Sequence, residues 1–330
     1  MNDAAVRVSV VLATYRRPDL LERCLRALDR QTLDPSQYEI CVADDAGLAS
    51  TREQIEGLAR EFRATLKYIS VTGSHGPAAA RNRGWQASRG PLIAFTDDDT
   101  IPDPSWLENG LRAVERPDVV AASGCVVMPL PDVPTDYERN ESGLCRAEFV
   151  TANCFVRREA LEAVGGFDER FRMAWREDSD LHFSLLRYAE ARGFQLTRAK
   201  DALVVHPVRP AKWGVCLSQQ KKSLFNALLY KKHPELYRAR IQALPPLRYY
   251  LILFFILLAL MGAATSSYRL LVFSAWAWAM LTASFAIQRL CGTSWSPSHI
   301  AEMFFTSALI PPLSVYWRIR GAMKFRVPFL

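Results

Sequence analysis

Several features are missing from this sequence, and each absence removes a class of function. No C-x-x-C pair occurs among the seven cysteines (Cys24, Cys41, Cys125, Cys145, Cys154, Cys216 and Cys291), and their number is odd. That argues against a disulfide framework or a zinc site. It fits a reducing cytosol, with the thiols as plain core residues. Neither G-x-G-x-x-G nor G-x-x-x-x-G-K-[ST] is present, so any phosphate must be held by metal and basic side chains instead of a glycine cradle. The opening residues carry no leader pattern: Asp3 stands among them, and Val6 to Ala13 is broken by Arg7 and Ser9. The N-terminal domain is therefore expected to stay on the side where it is made. Of the five histidines, His75, His182, His233 and His299 sit in no partner pattern.

What is present is unevenly spread. Half of the 330 residues are hydrophobic, yet up to about Ala243 the chain reads as an α/β domain, and beyond it as membrane-like. The net charge of +7 gathers between Arg209 and Arg248. There Arg209, Lys212, Lys221, Lys222, Lys231, Lys232, Arg238, Arg240 and Arg248 face a single acid, Glu235. A basic run can suit nucleic acid, but its place just before apolar spans favours anionic membrane lipids.

Val8 to Tyr15 reads as a first buried strand, and Leu20, Leu21, Cys24, Leu25 and Leu28 follow at helical spacing. Tyr38 to Ala43 is a second strand ending in Asp44-Asp45. A helix from about Arg52 to Phe62, a strand near Leu66 to Val71 and a helix from Ala78 to Ser88 come next. Strand and helix alternating in this way imply a mostly parallel, right-handed, Rossmann-like α/β sheet. The next strand, Pro91 to Thr96, stops at Asp97-Asp98-Asp99. Ligands bind beyond the carboxyl ends of such strands. Three adjacent anions call for a cation, and oxygen ligands select Mg²⁺ or Mn²⁺, whose open positions phosphate oxygens fill. The triplet thus implies a metal–diphosphate site, against the plainer reading of a solvated acidic turn. Beside it, Thr14, Tyr15 and Asp44 share the strand ends. Asp44 offers an acceptor for a base N–H, Tyr15 a ring to stack and Arg81 a charge for phosphate. Ordinary strand-end packing, and for Arg81 a solvated helix face, are the competing readings.

At this point the chain resembles the family 2 glycosyltransferases with the GT-A nucleotide-diphospho-sugar transferase fold. The likeness rests on Val8-Ser-Val-Val-Leu-Ala-Thr-Tyr-Arg-Arg-Pro, Val42-Ala-Asp-Asp-Ala, Gly76-Pro-Ala-Ala-Ala-Arg-Asn-Arg-Gly84 and Phe95-Thr-Asp-Asp-Asp-Thr-Ile-Pro. Gly165-Gly-Phe-Asp-Glu-Arg-Phe171 and Trp175-Arg-Glu-Asp-Ser-Asp-Leu181 extend it over roughly the first two-thirds of the chain. The resemblance implies sugar-nucleotide donors (UDP-, dTDP- or GDP-linked), a divalent metal and inverting chemistry. It makes Asp97-Asp98-Asp99 the D-x-D motif, with Asp97 and Asp98 toward the donor and Asp99 the leading metal ligand, shared with Asp97. It makes Asp44 the base-binding acid. One departure stands out: Asp44-Asp45-Ala46-Gly47-Leu48 replaces the Asp/Asn-rich turn with Ser that often follows the second strand.

In the acceptor half, the polar segment from Asp136 to Arg146 reads as a mobile or lid loop. The strand through Asn153 returns toward the site, so Asn153 and Trp175 are placed on the acceptor side. Glu177, Asp178 and Asp180 open an amphipathic helix, where acids also serve the dipole. A hydroxyl attacking an anomeric carbon must lose its proton. The resemblance gives that base role to Asp178, with Glu177 its neighbour and Asp180 nearby. It also offers His206 as a metal ligand, against a plain structural histidine.

The chain from Tyr249 to about 266 carries no charge, nor does Leu270 to Gln288, so both are expected to span as a hairpin. A third segment, about Ile300 to Trp317, is interrupted by Pro311-Pro312 and Glu302 and is expected to be re-entrant, kinked or interfacial. Basic flanks on both sides put the catalytic domain in the cytoplasm at the inner membrane. The expected division is a catalytic domain over 1–208, a basic amphipathic juxtamembrane linker over 209–247, with Trp213, Phe225 and Tyr230 as anchors, and a membrane domain over 248–330. The expected function is a membrane-anchored inverting glycosyltransferase acting on a lipid-linked or polysaccharide acceptor. A polyprenyl-phosphate sugar synthase and a non-catalytic subunit of a polysaccharide assembly complex are the alternatives.

Overall fold

β-Branched and small apolar residues without charge form strands that can be covered on both faces; Val8–Thr14 and Leu92–Thr96 are of this kind, whereas Tyr38–Asp44 carries Glu39 and Asp44 and Thr65–Ser70 carries Lys67. The computed structural model describes residues 5–329, so the reading at Asp3 lies outside it. In chain order the strands are Val8–Thr14 (β1), Tyr38–Asp44 (β2), Thr65–Ser70 (β3), Leu92–Thr96 (β4), Ile101–Pro102 (β5), Val119–Val127 (β6), Asn153–Arg157 (β7) and Gln195–Val205 (β8). They form one sheet ordered β3-β2-β1-β4-β7-β6-β8-β5. The first four strands pair in parallel, as the alternation predicts. Beyond β4 the sheet is mixed: β7 runs antiparallel to β4 and β6, β8 parallel to β6, and β5 antiparallel to β8.

Register decides where chemistry collects. Thr14 pairs with Asp44, and Asp44 with Ser70. The tips of β1, β2 and β3 therefore end level, and β4 delivers Thr96 and the acidic triplet beside β1. Helices cover both faces. Leu21, Cys24, Leu25 and Leu28 of the helix Pro18–Leu28 are buried in one core with Val10, Ile40 and Trp106. The opposite core holds Phe95, Val156, Leu181 and Leu185, the last two from the helix Glu177–Arg192. Gly76 opens the helix Pro77–Gln86 at φ +114°, a conformation side chains avoid, and a Cβ there would meet the Arg172 carbonyl at 2.9 Å.

The chain divides into two compact units. One is the chain up to Pro129 with Gly143–Pro207; the other is Leu130–Ser142 with the chain from Val208 on. The segment expected as a mobile loop is thus partly built into the second unit. Asp136–Glu141 is a helix closed by a full capping box, in which Thr135 and Glu138 exchange hydrogen bonds, and Ser142–Arg146 is a 3₁₀ turn. The expected basic linker is not a free amphipathic strip either. Leu224 to Leu229 of the helix Leu224–Lys232 are all buried, and Phe225 packs on Phe325 instead of serving as an anchor. Tyr230 is enclosed by Tyr237 and Phe329, whereas Trp213 is 51% exposed.

Leu247–Ala264 and Tyr268–Leu290 are the two long apolar helices, with mean hydropathy 2.1 and 1.8. At 1.5 Å per residue they are about 27 and 35 Å long. They pack antiparallel closely enough that a Cβ on Gly262 would meet the Leu271 nitrogen at 2.7 Å. The third apolar segment is one continuous helix, Pro297–Phe325, that carries Pro311 and Pro312 inside it. These helices reverse the usual polarity. Leu251, Phe254, Leu257, Phe273, Trp276, Phe304, Phe305 and Met323 face outward, while Ser274, Thr282, Thr306, Ser307, Ser314 and Arg318 are buried. An apolar exterior of this kind marks a surface that meets a membrane or another protein.

Candidate active site

The acidic turn is anchored from beneath. The Thr100 hydroxyl donates to the Asp97 carbonyl (2.8 Å) and meets the Thr96 hydroxyl (2.7 Å), which bonds the Ala152 carbonyl. The Cys24 thiol donates to the same Asp97 carbonyl, and Arg23 holds the Asp99 carbonyl. With the backbone fixed, Arg81 faces Asp97 while Arg17 is shared between Asp98 and Asp99. Asp98 takes Thr14 Oγ1 (2.8 Å) and Arg17 Nη1 (3.0 Å). Burial pushes its carboxyl up to about 6 in spite of the Arg17 charge. Arg17 also lies 3.7 Å from Asp99, whose other oxygen is 3.4 Å from His206 Nε2.

Arg81 joins Asp97, 16 residues further along the chain, to Glu177, 96 residues further along. Its Nη2 donates to Asp97 at 2.7 Å and its Nη1 to Glu177 at 3.1 Å, with the guanidinium over the Phe167 ring. Burial acts to raise the Asp97 pKa, but Arg81 and His206 together hold it below the ordinary carboxylate value. Glu177 lacks that support. Burial first and the neighbouring Asp178 second push it up to about 7, against the pull of Arg81. Burial raises Asp178 as well. Its Oδ1 accepts the Ser179 N–H at 2.6 Å. The turn leading to these acids is strained: Arg176 sits at φ +76°, costly for a residue that carries a Cβ, with its guanidinium over the ring of Trp175. Three buried polar atoms here have no hydrogen-bond partner among the described residues: Arg81 Nε, Glu177 Oε2 and His206 Nδ1.

Beyond the tip of β1, Tyr15 is 50% exposed with Arg16 over its ring. Asp44 is fully covered. It accepts the N–H groups of Ala46 and Leu48 (both 2.9 Å) and the Tyr68 hydroxyl (3.2 Å). Its neighbour Asp45 receives the Gly76 N–H and His75.

With the geometry in place, comparison with known proteins assigns the family. The Glycosyl transferase family 2 profile matches residues 9–174, and the profile of Glycosyl transferase family group 2 matches 92–288. The chain belongs to glycosyl transferase family 2. Among curated relatives it is 32% identical to the glycosyltransferase AglE of Haloferax volcanii over 64% of this chain and 70% of that protein. It is 27% identical to the validoxylamine A glucosyltransferase of Streptomyces hygroscopicus subsp. limoneus, over 59% of this chain and half of that one. A solved mannosyltransferase from Pyrobaculum calidifontis, in complex with GDP-mannose and Mn²⁺, superposes with a TM-score of 0.56 at 17% identity, covering 98% of this chain and 90% of that one. That likeness establishes the GT-A-like fold of this glycosyltransferase.

The family 2 glycosyltransferase brings together Thr14, Arg81, Asp97, Asp98, Asp99, Glu177 and His206. Asp97, Asp99 and His206 each offer a ligand atom, all within 4.8 Å of one another. Two carboxylate oxygens with an imidazole nitrogen fit a hard divalent ion. Asn153 has a different place from the acceptor side expected for it. It is fully buried: Nδ2 donates to the Cys125 and Ala202 carbonyls, and Oδ1 accepts from Trp106 Nε1. Both of its amide hydrogens go to tying β7 to β6 and β8, and its oxygen is taken up by Trp106 within the core. Asp180 is also buried, and its charge acts on Arg170. Trp175, at 37% exposed, is open. Arg17, three residues beyond the tip of β1, is a site residue that the sequence reading does not single out.

Proposed function

We propose that this glycosyltransferase is membrane-anchored, inverting and metal-dependent, and moves a sugar from a nucleotide-diphospho-sugar to a hydroxyl of a lipid-linked or polysaccharide acceptor. The observation that carries the reading is the Arg81 bridge between Asp97 and Glu177. It sets the donor-side carboxylates one guanidinium away from the pair that opens the helix Glu177–Arg192. Asp97, Asp99 and His206 would hold Mg²⁺ or Mn²⁺. Such an ion, when bound, supplies Lewis-acid stabilisation of charge on a departing diphosphate.

The chain's own residues do the rest. Tyr15 stacks on the base, and Asp44 Oδ1, which accepts only the Ala46 N–H, keeps a lone pair for a ring N–H. Arg17 and Arg81 bring two positive charges to the diphosphate. Asp178, its pKa raised by burial, takes the proton of the acceptor hydroxyl as the new glycosidic bond forms at the anomeric carbon. The bond to the diphosphate oxygen breaks with its electron pair in the same displacement. No protein nucleophile is needed, and the anomeric configuration inverts. Trp175 lies at the acceptor end of the same helix start. The outward apolar faces of the two long helices support anchoring, and the basic segment before them favours a cytoplasmic catalytic domain.

The test is transfer by the purified full chain from a panel of UDP-, dTDP- and GDP-sugars to membrane lipid extracts. Metal-dependent product with an inverted anomeric centre is expected. Absence of binding to every sugar nucleotide, with and without divalent ions, would overturn the reading.

A further inference from the structure

The stretches 76–84 and 165–171, far apart in the chain, meet at one buried amide, that of Asn82. It follows Arg81 in the helix Pro77–Gln86 and is 4% exposed. Its Nδ2 donates to the Phe167 carbonyl (2.8 Å) and to Glu169 Oε1 (3.1 Å). Its Oδ1 accepts the Phe167 N–H (2.9 Å) and the indole N–H of Trp85 (3.0 Å). Both amide hydrogens and both lone pairs of the oxygen are committed. The N–H and C=O of Phe167 thus end on a single side chain. The backbone closes tightly over it: Gly166 sits at φ +70°, and a Cβ there would come within 2.7 Å of Asn82 Oδ1.

What this clamp holds in place is the ring of Phe167. The Arg81 guanidinium carbon lies 5.8 Å from its centroid, a cation–π distance. The same ring meets Phe95 edge-on, with centroids 5.2 Å apart and planes at 90°. Phe95 belongs to β4, the strand that delivers the acidic triplet. The ring is therefore wedged between that strand and Arg81. Arg81 spends its Nη groups on Asp97 and Glu177, while its Nε has no hydrogen-bond partner among the described residues. Two bonds from one end of the guanidinium leave its plane free to tilt about the line joining them. A ring against its face limits that tilt, and Asn82 fixes the backbone that carries the ring.

We propose that Asn82 is a positioning residue for the transfer reaction: by clamping both backbone groups of Phe167 it holds that ring against Arg81 and keeps the guanidinium aimed where the donor diphosphate binds. This rests on the reading that Arg81 meets the diphosphate. Asn82 itself touches no substrate, because its hydrogen-bonding groups are used within the fold. Its effect on the nucleotide must then pass through Phe167 and vanish once Arg81 is replaced. A side chain that only supported the fold would lower stability and leave the affinity of the folded chain as it was.

The experiment titrates the full chain, purified in detergent with Mn²⁺ present, with UDP, GDP and dTDP by calorimetry, and carries forward whichever binds. The temperature is one at which thermal unfolding shows each variant folded. Asn82→Ala should weaken that nucleoside diphosphate about tenfold. Phe167→Leu, which removes the ring and keeps the clamp, should do the same, and the two together should lose little more than either alone. In an Arg81→Lys chain the further change Asn82→Ala should cost less than about twofold. Asn82→Ser, whose hydroxyl can still hold one Phe167 group, should fall between wild type and Asn82→Ala; with Phe167→Leu it carries the test if the alanine variant does not fold. Wild-type affinity in the Asn82 variants and Phe167→Leu, or equal losses with and without Arg81, overturns the proposal and leaves the transferase reading standing. A wild-type chain that binds none of the three nucleotides overturns both.

Discussion

The buried charge clusters around Arg289 and around Arg81 differ in completeness. Around Arg289, every donor on the guanidinium meets Asp136, Thr306, Ser307 or the Cys216 sulfur. Around Arg81, the guanidinium Nε, Glu177 Oε2 and His206 Nδ1 remain without hydrogen-bond partners among the described residues in a buried setting. A cluster that satisfies itself contributes structure. A cluster left open retains capacity for something not yet bound, at a cost to stability that folding elsewhere must offset.

The contrast is broken or sharpened by substitution. The largest effect is expected from Asp178→Asn, which should cut transfer by about 10²- to 10⁴-fold. Its melting temperature and donor affinity should barely move. Retained turnover would show that the open cluster is not catalytic. In the wild-type chain the same assignment predicts that transfer falls on the acid side at a pH above the usual aspartate range, because burial raises Asp178. Arg289→Leu should do the opposite. It strands Asp136, and thermal unfolding in detergent should register a loss of about 3–5 kcal/mol, with sugar-nucleotide binding intact in whatever remains folded.

Chelation comes next in size. EDTA should erase the thermal stabilisation given by a saturating sugar nucleotide, about 2.7 kcal/mol at a hundredfold excess over Kd. It should leave the melting temperature of the donor-free chain nearly unchanged. The smallest effect concerns Glu39, a fully buried carboxylate in β2 that pairs with Lys67 (2.7 Å) and accepts from Ser9 and the Arg89 N–H. Burial works to raise its pKa, but these partners hold it at about 2, against 4.5 unperturbed. Its stabilisation is complete above the unfolded value and fades as pH falls from about 4.5 toward 2. Acid titration of Glu39→Gln should show a flatter loss over that interval than the wild type.

Much of the catalytic unit was legible in the sequence because its signals are local. The stripe Leu21, Cys24, Leu25, Leu28 carries its own periodicity, and the triplet after β4 announces itself as an uncharged run that stops at acids. The family motifs then tied Asp97 and Asp99 to Glu177 and Asp178. What escaped depends on contacts between distant segments. Nothing in Thr151-Ala-Asn-Cys shows that Asn153 is enclosed by Trp106, Cys125 and Ala202. Nothing local indicates that Asp136, in a polar stretch, finds its partner in Arg289, 153 residues on. The apolar helices were recognisable from hydropathy. The continuity of Pro297–Phe325 through two prolines was not, since its support comes from packing on Leu224–Lys232 and the second long helix.

The single guanidinium of Arg81 acts as a latch with two bolts. A diphosphate that draws it away from Asp97 must slacken its hold on Glu177 in the same movement, since both bonds come from one rigid plane. Substrates would then be obliged to arrive in sequence, nucleotide-sugar ahead of acceptor. Product-inhibition kinetics would display that order as competitive patterns for one product and mixed patterns for the other.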